Sequence, residues 1–244
     1  MLSSLSQSLL SVRRFYRRLT VVGGLLSVLI VLAVWWQPFV AVEYITRDPA
    51  AIANHPIYYG ALSNLGVLLW MASATACLVG ALVAKTLSAR GEIVGFFSGF
   101  AGLSAMLCMD DLFLIHEEIL PNKLGISENV LFVFYAIALL FLLLRFRKIL
   151  LRTQPILLAL SLCLFSMSMS SDLIPALASL PRDNTFALED GSKFVAIFAW
   201  FSYFLWIAVE KIVLLANDVV TRSNNASTAM SSESQKTLVS SSVK

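Results

Sequence analysis

Residues 93–118 read IVGFFSGFAGLSAMLCMDDLFLIHEE, and the expected fold class follows from this stretch. From Ile93 to Met109 no side chain is charged. A helix needs roughly 20 apolar residues to cross about 30 Å of hydrocarbon, so the run predicts a membrane-spanning helix. The stretch then closes with five ionisable residues: Asp110, Asp111, His116, Glu117 and Glu118. Ionisable groups at or near hydrocarbon depth are costly, so this end of the helix is a candidate functional site.

The composition extends the membrane interpretation to the whole chain. It is 58% hydrophobic and 14% charged, with a mean hydropathy of +0.81, which is typical of a multi-pass membrane protein. No segment shows the alternating pattern of a membrane β-barrel. The sequence therefore predicts an all-α, polytopic transmembrane helical bundle with about six spans. The six segments are residues 19–42, 57–84, 93–115, 129–144, 155–173 and 194–215.

The two ends of the chain differ from this apolar centre. Residues 1–18 carry leucines at helical spacing ahead of a basic cluster, which predicts a cytoplasmic interfacial segment. Residues 19–218 form the predicted transmembrane domain. Residues 219–244 are rich in serine and poor in apolar side chains, so we expect a disordered cytoplasmic tail.

The positions of lysine and arginine predict the orientation. All but four of the 18 basic residues fall on the side of the predicted spans that holds both termini. Cytoplasmic loops carry the excess of Lys and Arg, so both termini are expected on the cytoplasmic side of an inner or plasma membrane. The formal net charge of +3 reflects this bias and does not indicate a nucleic-acid partner. The four exceptions are Arg47, Lys123, Arg182 and Lys193.

This topology brings carboxylates from three spans to one layer. The third span rises from Glu92, which places Asp110 about 27 Å up at 1.5 Å per residue. The fifth rises from Pro155, so Asp172 lies at roughly 26 Å by the same measure. The sixth span descends past Glu189, Asp190 and Lys193. We therefore expect an acidic pocket at the outer face.

Helical faces separate the histidine from this pocket. Asp110 and Glu117 are seven residues apart and share a face. In a regular helix His116 points well away from Glu117, which makes it the weakest member of the site. Unwinding of the helix before Pro121 would turn His116 toward the acidic residues.

Such a cluster is typical of a divalent metal site. Carboxylates with one imidazole suit zinc or manganese, and carboxylates alone suit magnesium. A catalytic metal would activate water, which indicates a membrane-embedded hydrolase of a lipid or amphiphile. The candidate metal ligands are Asp110, Asp111, His116, Asp172 and Glu189. The candidate catalytic residues are Glu117, as general base, and Lys193, which would orient Glu189 or stabilise negative charge.

Two other classes of protein fit the same residues. A small cation- or proton-coupled transporter or sensor would use the paired carboxylates as carriers. A non-catalytic membrane scaffold would use them only to hold its helices together. A diphosphate–magnesium motif of the DDxxD type is disfavoured, because Leu114 stands at its fifth position. Nucleotide-binding, haem-attachment and nucleophile-elbow motifs are absent from the sequence.

Overall fold

Helices make up 86% of the computed structural model, which describes residues 2–87, 89, 91–153, 155–170 and 182–241. No strand occurs among these residues. The all-α fold class is thereby confirmed. In chain order the helices are α1 Leu2–Trp36, α2 Val42–Thr46, α3 Pro49–Ile52, α4 Ala61–Thr86, α5 Gly91–Phe113, a π-helix Ile115–Lys123, α6 Glu128–Arg145, α7 Arg147–Leu150, α8 Ile156–Ser170 and α9 Arg182–Ser241.

Four helices in the described part of the chain are long and apolar enough to cross a membrane. They are α4, α5, α6 and the part of α9 from Leu188 to Thr221. The apolar segments Thr20–Trp36 and Ile156–Met169 are shorter. The first ends before Pro38, whose ring restricts the preceding residue to extended conformations. Six spans, and the orientation of the termini, stay predictions.

The chain divides into two compact units, Met1–Ala61 and Leu62–Lys244. In the first unit the Gln37 side chain follows α1, and its oxygen accepts hydrogen bonds from the amides of Phe39 and Val40 at 2.9 Å each. Asp48 caps α3 by accepting from Ala50 and Ala51. These side-chain bonds satisfy backbone groups where the chain turns between short helices.

The second unit is built around the aromatic side chains of α5. Phe100 packs on Phe204 of α9 with ring centroids 4.6 Å apart. A β-carbon at Gly80 of α4 would lie 2.9 Å from the Phe97 ring, so glycine is required for this close approach of α4 and α5. The α5 helix is therefore central, and its last turn carries Asp110 and Asp111 into the interior of the unit.

The α9 helix continues beyond the apolar segment through the serine-rich residues up to Ser241. It begins at Arg182, ahead of Glu189, Asp190 and Lys193, so these three residues lie on one continuous helix. The predicted disorder of residues 219–244 stays a prediction.

Candidate metal centre

The chain changes helix type just after the two aspartates. The α5 helix ends at Phe113, and Leu114 adopts the left-handed conformation with φ 51° and ψ 44°. The carbonyl of Leu114 then accepts from the amides of Glu118, at 2.8 Å, and Ile119, at 3.2 Å. The Ile119 bond spans five residues, which is the pattern of a π-helix. The α-helix therefore unwinds before Pro121, the condition under which His116 was expected to turn toward the acids, and Pro121 itself lies within the π-helix.

This unwinding brings His116 onto Asp110. The carboxylate of Asp110 accepts the His116 backbone N–H on Oδ1 at 2.9 Å. Its Oδ2 lies 2.8 Å from Nδ1 of the same imidazole. Asp110 is 3% exposed and His116 is 8% exposed. Asp110 thus caps the first turn of the π-helix and fixes the orientation of the imidazole ring.

The imidazole also reaches a carboxylate nearer the surface. Nε2 of His116 lies 3.3 Å from Oε1 of Glu117, whose side chain is 52% exposed. Asp110, His116 and Glu117 therefore form a continuous polar chain from a buried carboxylate to an exposed one. In a regular helix His116 would point away from Glu117. The π-helix instead places it against both Asp110 and Glu117.

The neighbouring carboxylate raises the pKa of His116. Burial acts on the imidazole in the opposite direction and lowers its pKa, because desolvation disfavours the charged form. The hydrogen bond that the imidazole donates to Asp110 and the charges of Asp110 and Glu117 favour the charged form, and they outweigh both burial and the opposing charge of Lys193. The pKa of His116 therefore lies above its ordinary value.

Asp111 is held by two other helices. Nζ of Lys193, on α9, donates to Oδ1 of Asp111 at 2.9 Å. The indole N–H of Trp70, on α4, donates to Oδ2 at 2.9 Å. The Asp111 side chain is only 11% exposed, so both of its oxygens take partners inside the protein. This carboxylate therefore ties α4, α5 and α9 together at one point.

Aromatic side chains surround the two aspartates. Trp70 stacks on Phe165 at 5.7 Å and meets Trp200 edge-on at 5.8 Å. The phenol of Tyr135, on α6, interacts with Asp110 and, more weakly, with Asp111. The ring of Phe132 lies 5.2 Å from that of His116. Trp70, Tyr135 and Phe132 thus border the cluster, and Phe165 and Trp200 pack against Trp70.

Trp70 and Tyr135 were not among the sequence-based candidates. An indole is a donor only, and a buried indole N–H requires an acceptor. A tryptophan within an apolar span is therefore a signal that an acceptor lies opposite. The sequence contains that signal at Trp70, but only the packing of α4 against α5 shows that Asp111 is the acceptor.

The predicted site residues divide into three groups. Asp110, Asp111 and His116 offer ligand atoms that all lie within 4.8 Å of one another. Glu117 and Lys193 contact members of that trio. Glu189 is described but is not part of the trio, and Asp172 lies outside the described residues. Lys193 contacts Asp111, and both roles predicted for Lys193 stay predictions.

Comparison with known proteins gives a family. The model of a domain of unknown function, DUF8692, matches residues 19–207. The chain belongs to the DUF8692 family. No curated protein and no solved structure matches it.

The DUF8692 match includes the complete cluster. Asp110, Asp111, His116, Glu117 and Lys193 all lie within residues 19–207, whereas the serine-rich segment lies beyond them. The matched region also contains the four candidate membrane-spanning helices, apart from the end of α9. The cluster is therefore part of the family's domain and not of an appended segment.

The charges of the cluster suit a cation. Three carboxylates, from Asp110, Asp111 and Glu117, meet one lysine and one histidine. Carboxylate oxygen and imidazole nitrogen are ligands that zinc and manganese accept. The same groups can pass a proton along hydrogen bonds, because an imidazole accepts on one nitrogen and donates from the other.

Proposed function

We propose that this protein is a multi-pass membrane protein that binds a divalent metal ion through Asp110, Asp111 and His116 at the outer face of the membrane. The observation that carries the proposal is the mutual approach of their ligand atoms to within 4.8 Å. A set of two carboxylates and one imidazole favours zinc, with manganese next and magnesium last. The buried Asp110 orients the ring of His116, a support that metal-binding histidines commonly have.

The proposed chemistry is hydrolysis of a lipid or amphiphile. The cluster follows directly on an apolar helix, so a substrate with an acyl chain in the bilayer and a polar group at its surface would reach it. A bound metal would polarise the acyl carbonyl and acidify water. Water oxygen would bond to the acyl carbon as the C–N or C–O bond breaks. Glu117 would accept a proton from water and pass it to the departing amine or alcohol.

Elemental analysis of the purified protein in detergent tests the metal proposal. We expect stoichiometric zinc or manganese in the parent and its loss from Asp110→Asn/Asp111→Asn. The control variant Glu92→Gln/Glu210→Gln neutralises two carboxylates outside the cluster and should retain the metal. Size-exclusion profiles and thermal unfolding would establish that each variant is folded. Absence of metal from the parent after loading with zinc, manganese and magnesium would exclude the proposal.

A panel of amide- and ester-linked lipids carrying a fluorophore tests the hydrolase proposal separately. Glu117→Gln should retain the metal but lose most of its turnover, because general-base catalysis contributes about 10²–10⁴-fold. Equal turnover by Glu117→Gln and the parent would remove Glu117 from the mechanism. A parent that holds metal but cleaves none of the lipids would leave metal binding in place and contradict hydrolysis of these substrates.

The chain from Asp110 through His116 to Glu117 favours proton- or cation-coupled transport as a second candidate. Its side-chain exposure rises from 4% to 10% to 52%, so it connects the protein interior with the surface. Liposomes loaded with a pH-sensitive dye should show proton flux that His116→Asn abolishes. Flux equal to that of protein-free liposomes would exclude this candidate.

Complete pairing of the cluster favours the scaffold candidate. Among the described residues, no buried side-chain nitrogen or oxygen lacks a hydrogen-bond partner. A scaffold predicts that Asp111→Asn loses folding, whereas an enzyme or transporter predicts a folded but inactive variant. Thermal unfolding of Asp111→Asn, measured beside its metal content, separates these outcomes.

A further inference from the structure

Asp111 already holds a cation, the ammonium of Lys193. Nζ lies 2.9 Å from Oδ1, and the Trp70 indole donates to Oδ2 at the same distance. The two partners are not equivalent. The indole is neutral and fixed by ring packing, whereas an ammonium is a compact charge on a flexible four-carbon stem. Of the two, only Lys193 can exchange for another cation without leaving an indole donor buried and unpaired.

A metal ion and the Lys193 ammonium cannot both bind the Asp111 carboxylate without repelling each other. A metal would lie about 2.0–2.2 Å from a carboxylate oxygen. With Nζ on the same carboxylate, the two cations would stand within about 5 Å of each other. At that separation, in a site shielded from water, the repulsion between like charges is large.

Lys193 has a route away from Asp111. Its side chain is 32% exposed, three times the fraction of the Asp111 side chain. The charges of Glu117 and Asp190 also act on Lys193, and both carboxylates belong to exposed residues. The ammonium can therefore move outward to other carboxylates without becoming an unpaired charge.

We propose that Lys193 is a built-in competitor for the divalent cation at Asp111, so that metal binds only when the ammonium leaves this carboxylate. This inference rests on the proposed metal site and adds its regulation. Asp111 would then face a cation in either state, and Lys193 would set the metal concentration at which the site fills.

Zinc titrations with a competing chelator, on full-length protein in detergent, test this competition. Lys193→Met removes the competitor, and we expect its zinc Kd to fall at least tenfold below that of the parent. Lys193→Arg retains the charge, and its guanidinium can donate two hydrogen bonds to the carboxylate. The zinc Kd of this variant should therefore equal or exceed the parent value. The matched control is Lys211→Met, which removes a lysine of the same helix that pairs with Glu210 at 3.4 Å. Its Kd should stay within threefold of the parent.

The outcomes separate the competition from the metal site itself. If the parent binds zinc and Lys193→Met binds it equally or less tightly, competition is excluded and the metal site stands. If neither protein binds zinc, both proposals fail. If Lys193→Met folds poorly, zinc should raise its thermal midpoint more than that of the parent. The zinc Kd of Lys193→Arg, compared with that of the parent, then still tests whether the retained charge opposes zinc binding. A Kd for Lys193→Arg at least tenfold below the parent value would contradict the competition.

Discussion

At the residue scale, the site depends on how two adjacent aspartates are satisfied. Asp110 takes its partners from the chain that follows it, through the backbone and ring of His116. Asp111 takes its partners from distant parts of the chain, Trp70 and Lys193. Residues adjacent in an α-helix point about 100° apart, so one carboxylate faces the π-helix and the other faces α4 and α9. Two acids that look equivalent in the sequence therefore have different roles.

The Trp70 hydrogen bond gives the first residue-scale prediction. Trp70→Phe keeps an aromatic ring but removes the indole donor to Asp111 Oδ2. A buried acceptor that loses its donor costs about 1–3 kcal/mol, so the free energy of unfolding should fall by that amount. SDS titration or thermal unfolding in detergent would measure it. The same substitution at Trp206, which is 61% exposed, is the control and should have little effect. Equal behaviour of the two variants would show that the indole bond contributes nothing.

The Asp110–His116 pair gives a prediction of pH dependence in chelator-treated protein. Because the pKa of His116 is raised in the folded state, the ion pair contributes its full stability below the unfolded pKa of about 6.5. That contribution is lost as the pH rises through the folded pKa. The difference in thermal midpoint between the parent and His116→Asn should therefore shrink as the pH is raised from about 5 to 9. A difference that is constant, or that grows with pH, would contradict a raised pKa.

At the scale of the element, the site depends on the replacement of α-helix by π-helix after Phe113. A bulky Leu114 in the left-handed region is unusual, since left-handed backbone costs an L-residue roughly 1–2 kcal/mol. The two bonds between Asp110 and His116 are made with the chain in this conformation. They offset the strain, and the strained turn in turn positions His116 for the proposed function.

Substitutions at Leu114 test this element. Leu114→Gly permits the left-handed conformation, whereas Leu114→Val places a β-branched side chain there. We expect the valine variant to be less stable than the glycine variant by about 1–2 kcal/mol. The same pair at Leu112, within α5 and similarly exposed, is the control, and there glycine should be the worse residue. The same order at both positions would mean that Leu114 is not strained.

At the scale of the whole molecule, the number of spans decides which side of the membrane the cluster faces. Among the residues that the structure describes, four helices are long and apolar enough to cross. If all six predicted segments cross, the loop after the π-helix lies outside and the loop after α6 lies in the cytoplasm. If the segment Thr20–Trp36 does not cross and the N-terminus is cytoplasmic, these two loops exchange sides. The proposed outer site therefore depends on whether Thr20–Trp36 crosses the membrane.

Cysteine labelling in intact cells tests this topology. In a background with Cys77, Cys108 and Cys163 replaced by alanine, Lys123→Cys should react with a membrane-impermeant thiol reagent from outside. Arg152→Cys should react only after the cells are permeabilised. Both positions are exposed, so burial does not explain a difference between them. The reverse pattern would place the cluster on the cytoplasmic side and leave the geometry of the site unchanged.

Local chemistry is enough to predict the all-helical class, the presence of helices apolar enough to cross a membrane, and the position of the polar cluster in the chain. An uncharged run such as Ile93 to Met109 can enter a bilayer as a helix, because a helix satisfies its own backbone hydrogen bonds. The acidic residues at its end can be read directly from the sequence. How those acids are paired follows from the packing of the folded chain. His116 joins Asp110 through a change of helix type that regular helical spacing does not contain. Trp70 and Lys193 meet at Asp111 because separate helices pack together, and contacts between residues far apart in sequence follow from packing and not from any local pattern.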